Sequence, residues 1–268
     1  MRPGLGTYVA VRADHEDEAV AEAAVNAAFE AIERVQRLMS VYEPDSDIAR
    51  LNRLPPGERL QVDPWTWALL ATALEVSEAS GGLFDCSVAP QLVAWGLLPP
   101  EVLGPTANGP AGPGRTTLPT ALCLHEGHQL SVRAPLRVDL GGIAKGEAVD
   151  RAVAAMQAAG ARGGLVNAGG DLRVFGPTEE AIYLRDPGDP QRLRHAGVLQ
   201  DGALATSATY HSRREHDGAE VSALVDPHSG QALRTRRSFT VVAPRCAIAD
   251  ALTKVLALSQ DAHHPCMA

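Results

Sequence analysis

Apolar residues recur at Val20, Ala24, Ala27, Ala28, Ile32, Val35 and Leu38, three or four positions apart, with polar and acidic residues between them. That spacing places one apolar stripe on a long helix beginning after Asp17 and ending near Met39. Ahead of it, residues 6–12 alternate as a strand does. Pro44, Asp45 and Ser46 follow the helix, and Asp45 or Ser46 suits the cap of a short second helix running through Leu51. After the turn at Pro55, Pro56 and Gly57, Pro64 leads into a third helical run, about 65–79, which Gly81 and Gly82 stop.

Residues 99–120 are crowded with Pro, Gly, Thr and Ala and carry neither period, which predicts a surface insertion. Beyond it, 121–124 and 129–132 flank His125, Glu126, Gly127 and His128 in a hairpin pattern, and 137–140 reads as the next strand. Gly141, Gly142 and Gly146 then surround Lys145, with Val149, Ala152, Val153 and Met156 following at helical spacing. Short strands are expected at 164–167, 172–175, 181–185, 197–200, 223–225 and 239–242, then a last helix over 247–258 and a frayed tail after Gln260. Runs of strands with a few long helices predict an α+β fold with mixed, largely antiparallel sheets. The 268 residues suit a single domain, 1–268, or two intimate lobes.

Composition narrows the function classes. The 24 Lys+Arg against 32 Asp+Glu give a net charge of −8, with no basic block to neutralise a row of phosphates, so nucleic acid is excluded as the main partner. No apolar run approaches the ~20 residues of a membrane-spanning helix. The chain opens on Met1, Arg2, Pro3 and Gly4 and then a polar, acidic segment, without the layout of a secretory signal, so a soluble cytoplasmic protein is expected. Four cysteines, Cys86, Cys123, Cys246 and Cys266, lie scattered without a CxxC pair and read as reduced, mostly buried thiols.

Several segments have the composition for chemistry. The segment 139–146 opens a helix, so free backbone N–H groups, the helix dipole and the Lys145 ammonium can converge on an anion such as a phosphate. Its glycine spacing matches neither the P-loop nor the dinucleotide fingerprint, and a plain helix start explains it as well. A second glycine turn, Gly169 and Gly170 between Asn167 and Asp171, offers further backbone donors or a tight bend. Asp250 falls within the apolar final helix, where a carboxylate needs a cation, a metal or a donor; Lys254 one turn on makes an ordinary ion pair the alternative. Cys123, His125 and His128, and the tail residues His263, His264 and Cys266, read as structural or incidental rather than as metal sets. Ser207 with His211 lacks the elbow and the acid of a hydrolase.

Taken in order, these segments resemble the ApbE family of flavin transferases, which move FMN from FAD onto a protein threonine. The resemblance runs through Gly4-Leu5-Gly6-Thr7, then Met39 to Ser46, Leu51-Asn52-Arg53, Gly81-Gly82-Leu83-Phe84-Asp85, Val88-Ala89-Pro90 and Trp95-Gly96. It continues through Asp139 to Gly146, Asn167 to Asp171, Ala205-Thr206-Ser207, Val225 to Gly230, Val242-Ala243-Pro244 and Ala249-Asp250-Ala251-Leu252. Each motif is common alone; the ordered series is specific.

The resemblance implies an ApbE-like fold and an FAD site contacted by Tyr42, Leu83, Phe84, Asp85, Asp139 and Lys145, with Leu5 near its entrance. It implies Mg²⁺ held by the Gly142 carbonyl, the Asp250 carboxylate and a threonine one turn later, and an acceptor flavoprotein carrying a Ser/Thr flavinylation motif. Two positions depart from the pattern at the reaction centre. Lys254 stands where that threonine is usual, with Thr253 one place early, and Ala223 stands where a His commonly precedes the Asp-Pro turn. An ammonium at 254 would repel Mg²⁺ or take its place beside Asp250. The leading expectation is an FAD:protein FMN transferase with Asp250 and Lys254 at the catalytic centre. An FAD-binding or flavin-chaperoning protein and an FAD pyrophosphatase are the alternatives.

Overall fold

The computed structural model describes residues 1–103 and 116–267. From the N-terminus come β1 (Arg2–Gly4), β2 (Thr7–Asp14), α1 (Glu18–Met39), α2 (Asp47–Leu51), β3 (Arg59–Gln61), α3 (Pro64–Ala79) and α4 (Ala89–Ala94). Then follow α5 (Leu118–Ala121), β4 (Leu122–His125), β5 (Gln129–Val132), α6 (Ala144–Ala158), β6 (Gly163–Ala168), β7 (Asp171–Asp186) and β8 (Asp189–Ala208). The remaining elements are β9 (Arg214–His216), β10 (Ala219–Val221), β11 (Ser238–Ala243) and α7 (Cys246–Ser259). The chain divides into two compact units, one of Met1–Gln36, Ile143–Ser207 and Arg236–Thr253, the other of the described residues within Arg37–Gly142, Ala208–Thr235 and Lys254–Ala268.

The first unit is built on a six-stranded sheet in the order β1-β2-β6-β7-β8-β11. The pairings β1–β2, β2–β6, β6–β7 and β7–β8 are antiparallel, with Val9 opposite Ala168 and Leu172 opposite Leu204. The stripe read on α1 is its buried face, since Ala24, Ala28, Ile32 and Val35 are all out of solvent. α6 packs on β6 and β7 through the fully buried Val149, Ala152, Val153 and Met156. Here small aliphatic side chains fill the core, as the low aromatic content implies.

In the second unit a three-stranded antiparallel sheet, β3-β5-β4, accompanies α2, α3, α4 and α5. Ser46 caps α2 by accepting from the Ala49 N–H, and Asp63 caps α3 by accepting from Trp65. α3 ends where Gly82 donates back to the Ser77 carbonyl at 2.8 Å, with Gly81 and Gly82 both at positive φ, the left-handed exit that favours glycine. Leu69, Leu70 and Ala73 of α3, with Leu118 and Ala121 of α5, are buried.

Three expectations need correcting. Residues 137–140 are extended but belong to no sheet; the Asn52 side chain takes the place of a partner strand, accepting from Val138 N at 2.7 Å and donating to Val138 O at 2.9 Å. Residues 223–225 form one isolated bridge, Val225 to Ala232, instead of a strand. The separate strands read at 172–175 and 181–185 are one, β7, continued past irregular pairing between Val174 and Glu179. Residues 104–115 of the expected insertion lie outside the described residues, while its flanks bury Val102, Leu103, Leu118 and Ala121.

Candidate active site

Lys145 sits in the first turn of α6, where the Gly141-Gly142 turn gives way to helix. Its ammonium is ion-paired with Asp171, the first residue of β7, and stands 4.0 Å from Asp250 Oδ2 on α7. Asp171 and Asp250 are buried, at 2% and 1% exposure, so charges there depend on partners within the protein rather than on water. Burial alone would pull the Lys145 pKa down, but Asp250 and Asp171 outweigh it and hold the value above its usual range. The backbone N–H of Gly146 donates to Asp250 Oδ2 at 3.3 Å. Glycine is required at 146 because a Cβ would lie 2.6 Å from Ala247 N and closer still to the Cys246 carbonyl.

The neighbouring positions are fixed by hydrogen bonds. Asn167 Oδ1 accepts from Gly170 N at 2.9 Å and so shapes the β6–β7 turn that delivers Asp171. Thr253, fully buried on α7, donates its hydroxyl to the Asp250 carbonyl at 2.6 Å, which leaves Ser207 Oγ, also at 2.6 Å, to donate to Thr253. Asp150 accepts from Cys246 N at 2.9 Å and Ala247 N at 3.0 Å, capping α7 from α6. The Cys246 thiol is pushed well above its ordinary pKa by burial first and then by Asp171, Asp150 and Asp250, so it stays protonated. Leu5, at positive φ in the β1–β2 turn, is half-buried and donates its N–H to Gln36 Oε1 at 3.2 Å.

In the second unit, Asp139 ends the extended segment held by Asn52, and its N–H donates to the Cys86 carbonyl at 2.9 Å. Burial raises the Asp139 pKa, against the opposing effects of the Gly141 N–H and Lys254. Lys254 lays its stem over Gly142, its Cε 3.3 Å from where a glycine Cβ would be, and Phe84 Cε2 is 3.6 Å from the same point. Tyr42 is 64% exposed; its phenol pKa is raised by burial and then by Asp139. Leu83 is half-buried and Phe84 buried in the turn after α3. Asp85 uses its carboxylate to cap that turn, accepting from Ser87 N at 2.8 Å and from Leu118 N at 3.3 Å. Beside this turn Ser77, Gly82, Asp85, Thr117, Pro227 and His228 line a cavity.

Within the second unit the structure therefore brings together Phe84, Asp139, Gly142 and Lys254, with Tyr42 sensing Asp139. Within the first it gathers Lys145 and Asp250. Sequence reasoning left Asp171 unassigned, although its place after the Asn167 to Gly170 turn was visible, and gave no role to Asn52.

A model of the ApbE family matches residues 5–265. The chain belongs to the ApbE family. It is 31% identical over 231 residues to the FAD:protein FMN transferase of Vibrio cholerae, covering 82% of this chain and 69% of that protein. It is 27% identical over 268 residues to the FAD:protein FMN transferase of Rhodobacter capsulatus, of which it spans about half, 51%. Among solved structures, the ApbE protein of Thermotoga maritima superposes with a TM-score of 0.82 at 27% identity, covering 96% of this chain and 85% of that one. The flavinyl transferase ApbE of Pseudomonas stutzeri gives 0.77 at 26% identity, with 95% and 82% covered.

The Mg²⁺ implied by membership of the ApbE family can be tested against the donors present. Asp250 already faces the Lys145 ammonium and takes the Gly146 N–H, and the residue one turn on offers a cation rather than an oxygen. The hydroxyl of Thr253 has its proton committed to the Asp250 carbonyl and its oxygen to Ser207. Among the described residues no three of His, Cys, Asp and Glu gather as a metal set. Mg²⁺ is commonly held by one or two carboxylates together with waters and substrate phosphates, so of the implied donors the Asp250 carboxylate and the Gly142 carbonyl are present and the side-chain oxygen one turn after Asp250 is replaced by the Lys254 ammonium.

Proposed function

We infer that the protein is an FAD:protein FMN transferase, moving FMN from FAD to a hydroxyl of an acceptor flavoprotein and releasing AMP. The match to the ApbE family over residues 5–265, with a transferase relative at 31% identity, carries the reading, and Lys145 at the N-terminus of α6 is the residue assigned to the substrate's anionic group. The Lys145 charge is locked on and its position is set before any ligand arrives. FAD presents such an anion in its pyrophosphate.

Each remaining residue has a role matched to its chemistry. Tyr42, largely exposed, offers a ring face to flavin or adenine, and Asp139 accepts hydrogen bonds from ring or ribose donors. Leu83, Phe84 and Asp85 shape the turn beside them, with Asp85 acting through the backbone it caps. Leu5 stands at the entrance. Asp250 keeps Lys145 and the Gly146 N–H in register with the reacting phosphate. In the transfer, the acceptor oxygen bonds to the flavin-side phosphorus while that phosphorus loses its bond to the bridging oxygen. AMP departs with that electron pair, and the hydroxyl proton passes to solvent.

The deciding experiment mixes purified protein, FAD and a flavin-acceptor domain and follows AMP together with the acceptor's intact mass. One AMP released per acceptor made heavier by one FMN is expected. Free FMN without any acceptor would replace this reading by a pyrophosphatase, and bound FAD without AMP would replace it by a flavin carrier.

A further inference from the structure

We propose that Asp150 is a positioning residue: by holding the first turn of α7, it sets the register between α6 and α7 that brings Asp250 to Lys145. Its consequence for turnover rests on the transferase reading above, while the geometry that carries it lies wholly within the first unit. Asp150 is a buried carboxylate in the middle of α6, and three elements meet on it. Oδ1 accepts from Cys246 N at 2.9 Å and Oδ2 from Ala247 N at 3.0 Å, so its two oxygens take the first two backbone N–H groups of α7. Hydrogen bonding and the helix dipole both favour a carboxylate there. It comes from a neighbouring helix, so the bonds that start α7 also tie it to α6.

The charge of Asp150 is met from two sides. Arg173 Nη1 of β7 lies 2.7 Å from Oδ1, and Nε of Arg245, the residue before α7, lies 3.8 Å from Oδ2. Arg245 also reaches Glu147 Oε2 on the same face of α6, at 3.3 Å.

The register matters one turn further along. Asp250 follows Cys246 by four residues, about one turn of α7, and there its Oδ2 meets Gly146 N at 3.3 Å and Lys145 Nζ at 4.0 Å. Gly146 in turn precedes Asp150 by four residues on α6, so one turn of each helix is fastened to the other at both ends. The backbones touch between these points, since a Cβ on Gly146 would lie 2.6 Å from Ala247 N. Moving α7 by one residue would turn it by about 100° and carry the Asp250 carboxylate away from Lys145. Lys145 would keep its pairing with Asp171, so what Asp150 sets is the Asp250 side of that ammonium.

The test combines stability and kinetics on the full chain. Asp150→Ala removes both acceptors, Asp150→Asn keeps the shape and one acceptor, and Arg173→Met unbalances the charge of Asp150 while leaving its bonds to α7. In urea denaturation, Lys145→Met is expected to shift the midpoint of the native chain about twice as far as that of Asp150→Ala, where its pairing with Asp250 is already lost. In the Arg173→Met background its full effect is expected. At a temperature where every variant is folded, Asp150→Ala is expected to lower kcat for FMN transfer about tenfold and to change KM for FAD by less than about threefold, because Asp171 still holds Lys145. Asp150→Asn should recover part of that loss, and Arg173→Met should stay within about twofold of native. Should Asp150→Ala not fold, Asp150→Asn carries the same comparisons. Additive midpoint shifts of Lys145→Met and Asp150→Ala, or equal losses of kcat in Asp150→Ala and Arg173→Met, would overturn the proposal and reduce Asp150 to a helix cap. Absence of transfer by the native protein would overturn the transferase reading and leave the midpoints to decide the proposal.

Discussion

Lys145 Nζ lies 4.0 Å from Asp250 Oδ2, joining the start of α6 to the middle of α7 by opposite charges. The same ammonium is bonded to Asp171, so one cation organises carboxylates from β7 and α7. Separated from Lys145, each of those carboxylates would be a buried charge with one partner fewer. The arrangement therefore ties the stability of this unit to the group proposed to bind the substrate.

Lys145→Met should destabilise the protein by about 3 kcal/mol, the scale for removing one partner of a buried ion pair. The pH dependence has a definite sign. The folded pKa of Lys145 lies above its ordinary value of 10.5, so its contribution is complete below about that pH and is lost as pH climbs through the folded value. Urea denaturation should thus show a constant gap between native and variant from about pH 6 to 9, closing only in strong alkali. Equal stabilities at neutral pH would show that Asp171 and Asp250 are satisfied without Lys145.

Asp139→Asn tests a carboxylate kept for function at a cost in stability. Because burial raises its folded pKa above 3.8, native stability declines as pH rises from near that value through the folded pKa, where Asp139 must ionise in place. Asparagine still accepts from Gly141 and carries no charge. The variant should melt higher than native at neutral pH and equal it in acid, while binding FAD about tenfold more weakly. A lower melting temperature at neutral pH would mean that the attraction of Lys254 exceeds the burial cost.

Much of this was legible in the chain, for identifiable reasons. The α1 stripe and the cap at Ser46 are local signals, and the structure keeps them because the buried face and the N–H acceptor lie within a few residues of each other. The segment 137–140 was misread as a strand because its pattern is extended; what pairs with it is a side chain 86 positions away. Asp250 stood out as a charge in an apolar helix, whereas the use of Asp171 depends on a contact across 26 residues of helix, strand and turn. Residues that act through distant partners leave no period to read.

Gly146→Ala should disrupt the first unit although alanine is the better helix former. The gain in helix propensity is at most ~1 kcal/mol. The added Cβ would overlap the backbone of Cys246 and Ala247, which cannot move without breaking the caps from Asp150 to both of their N–H groups. A loss of more than about 3 kcal/mol is expected, read by urea denaturation. A stabilised variant would show that α6 and α7 can separate freely.

Asn52 makes the sharpest prediction because its side chain serves both the fold and the site. It is fully buried, accepting from Val138 N at 2.7 Å and donating to Val138 O at 2.9 Å. Asn52→Ala leaves that amide and carbonyl in the core without those bonds, at a cost of about 2–4 kcal/mol. Val138 precedes Asp139, so the loosened segment should also weaken FAD binding at temperatures where the variant remains folded. Asn52→Asp separates the two halves of the contact: it keeps an acceptor for Val138 N and loses the donor to Val138 O. Its buried carboxyl must have a raised pKa, so the variant should be worse than alanine at neutral pH and recover relative to it as the carboxyl is protonated in acid. Parallel melting curves for the two variants across that range would show that the segment is held by its packing rather than by Asn52.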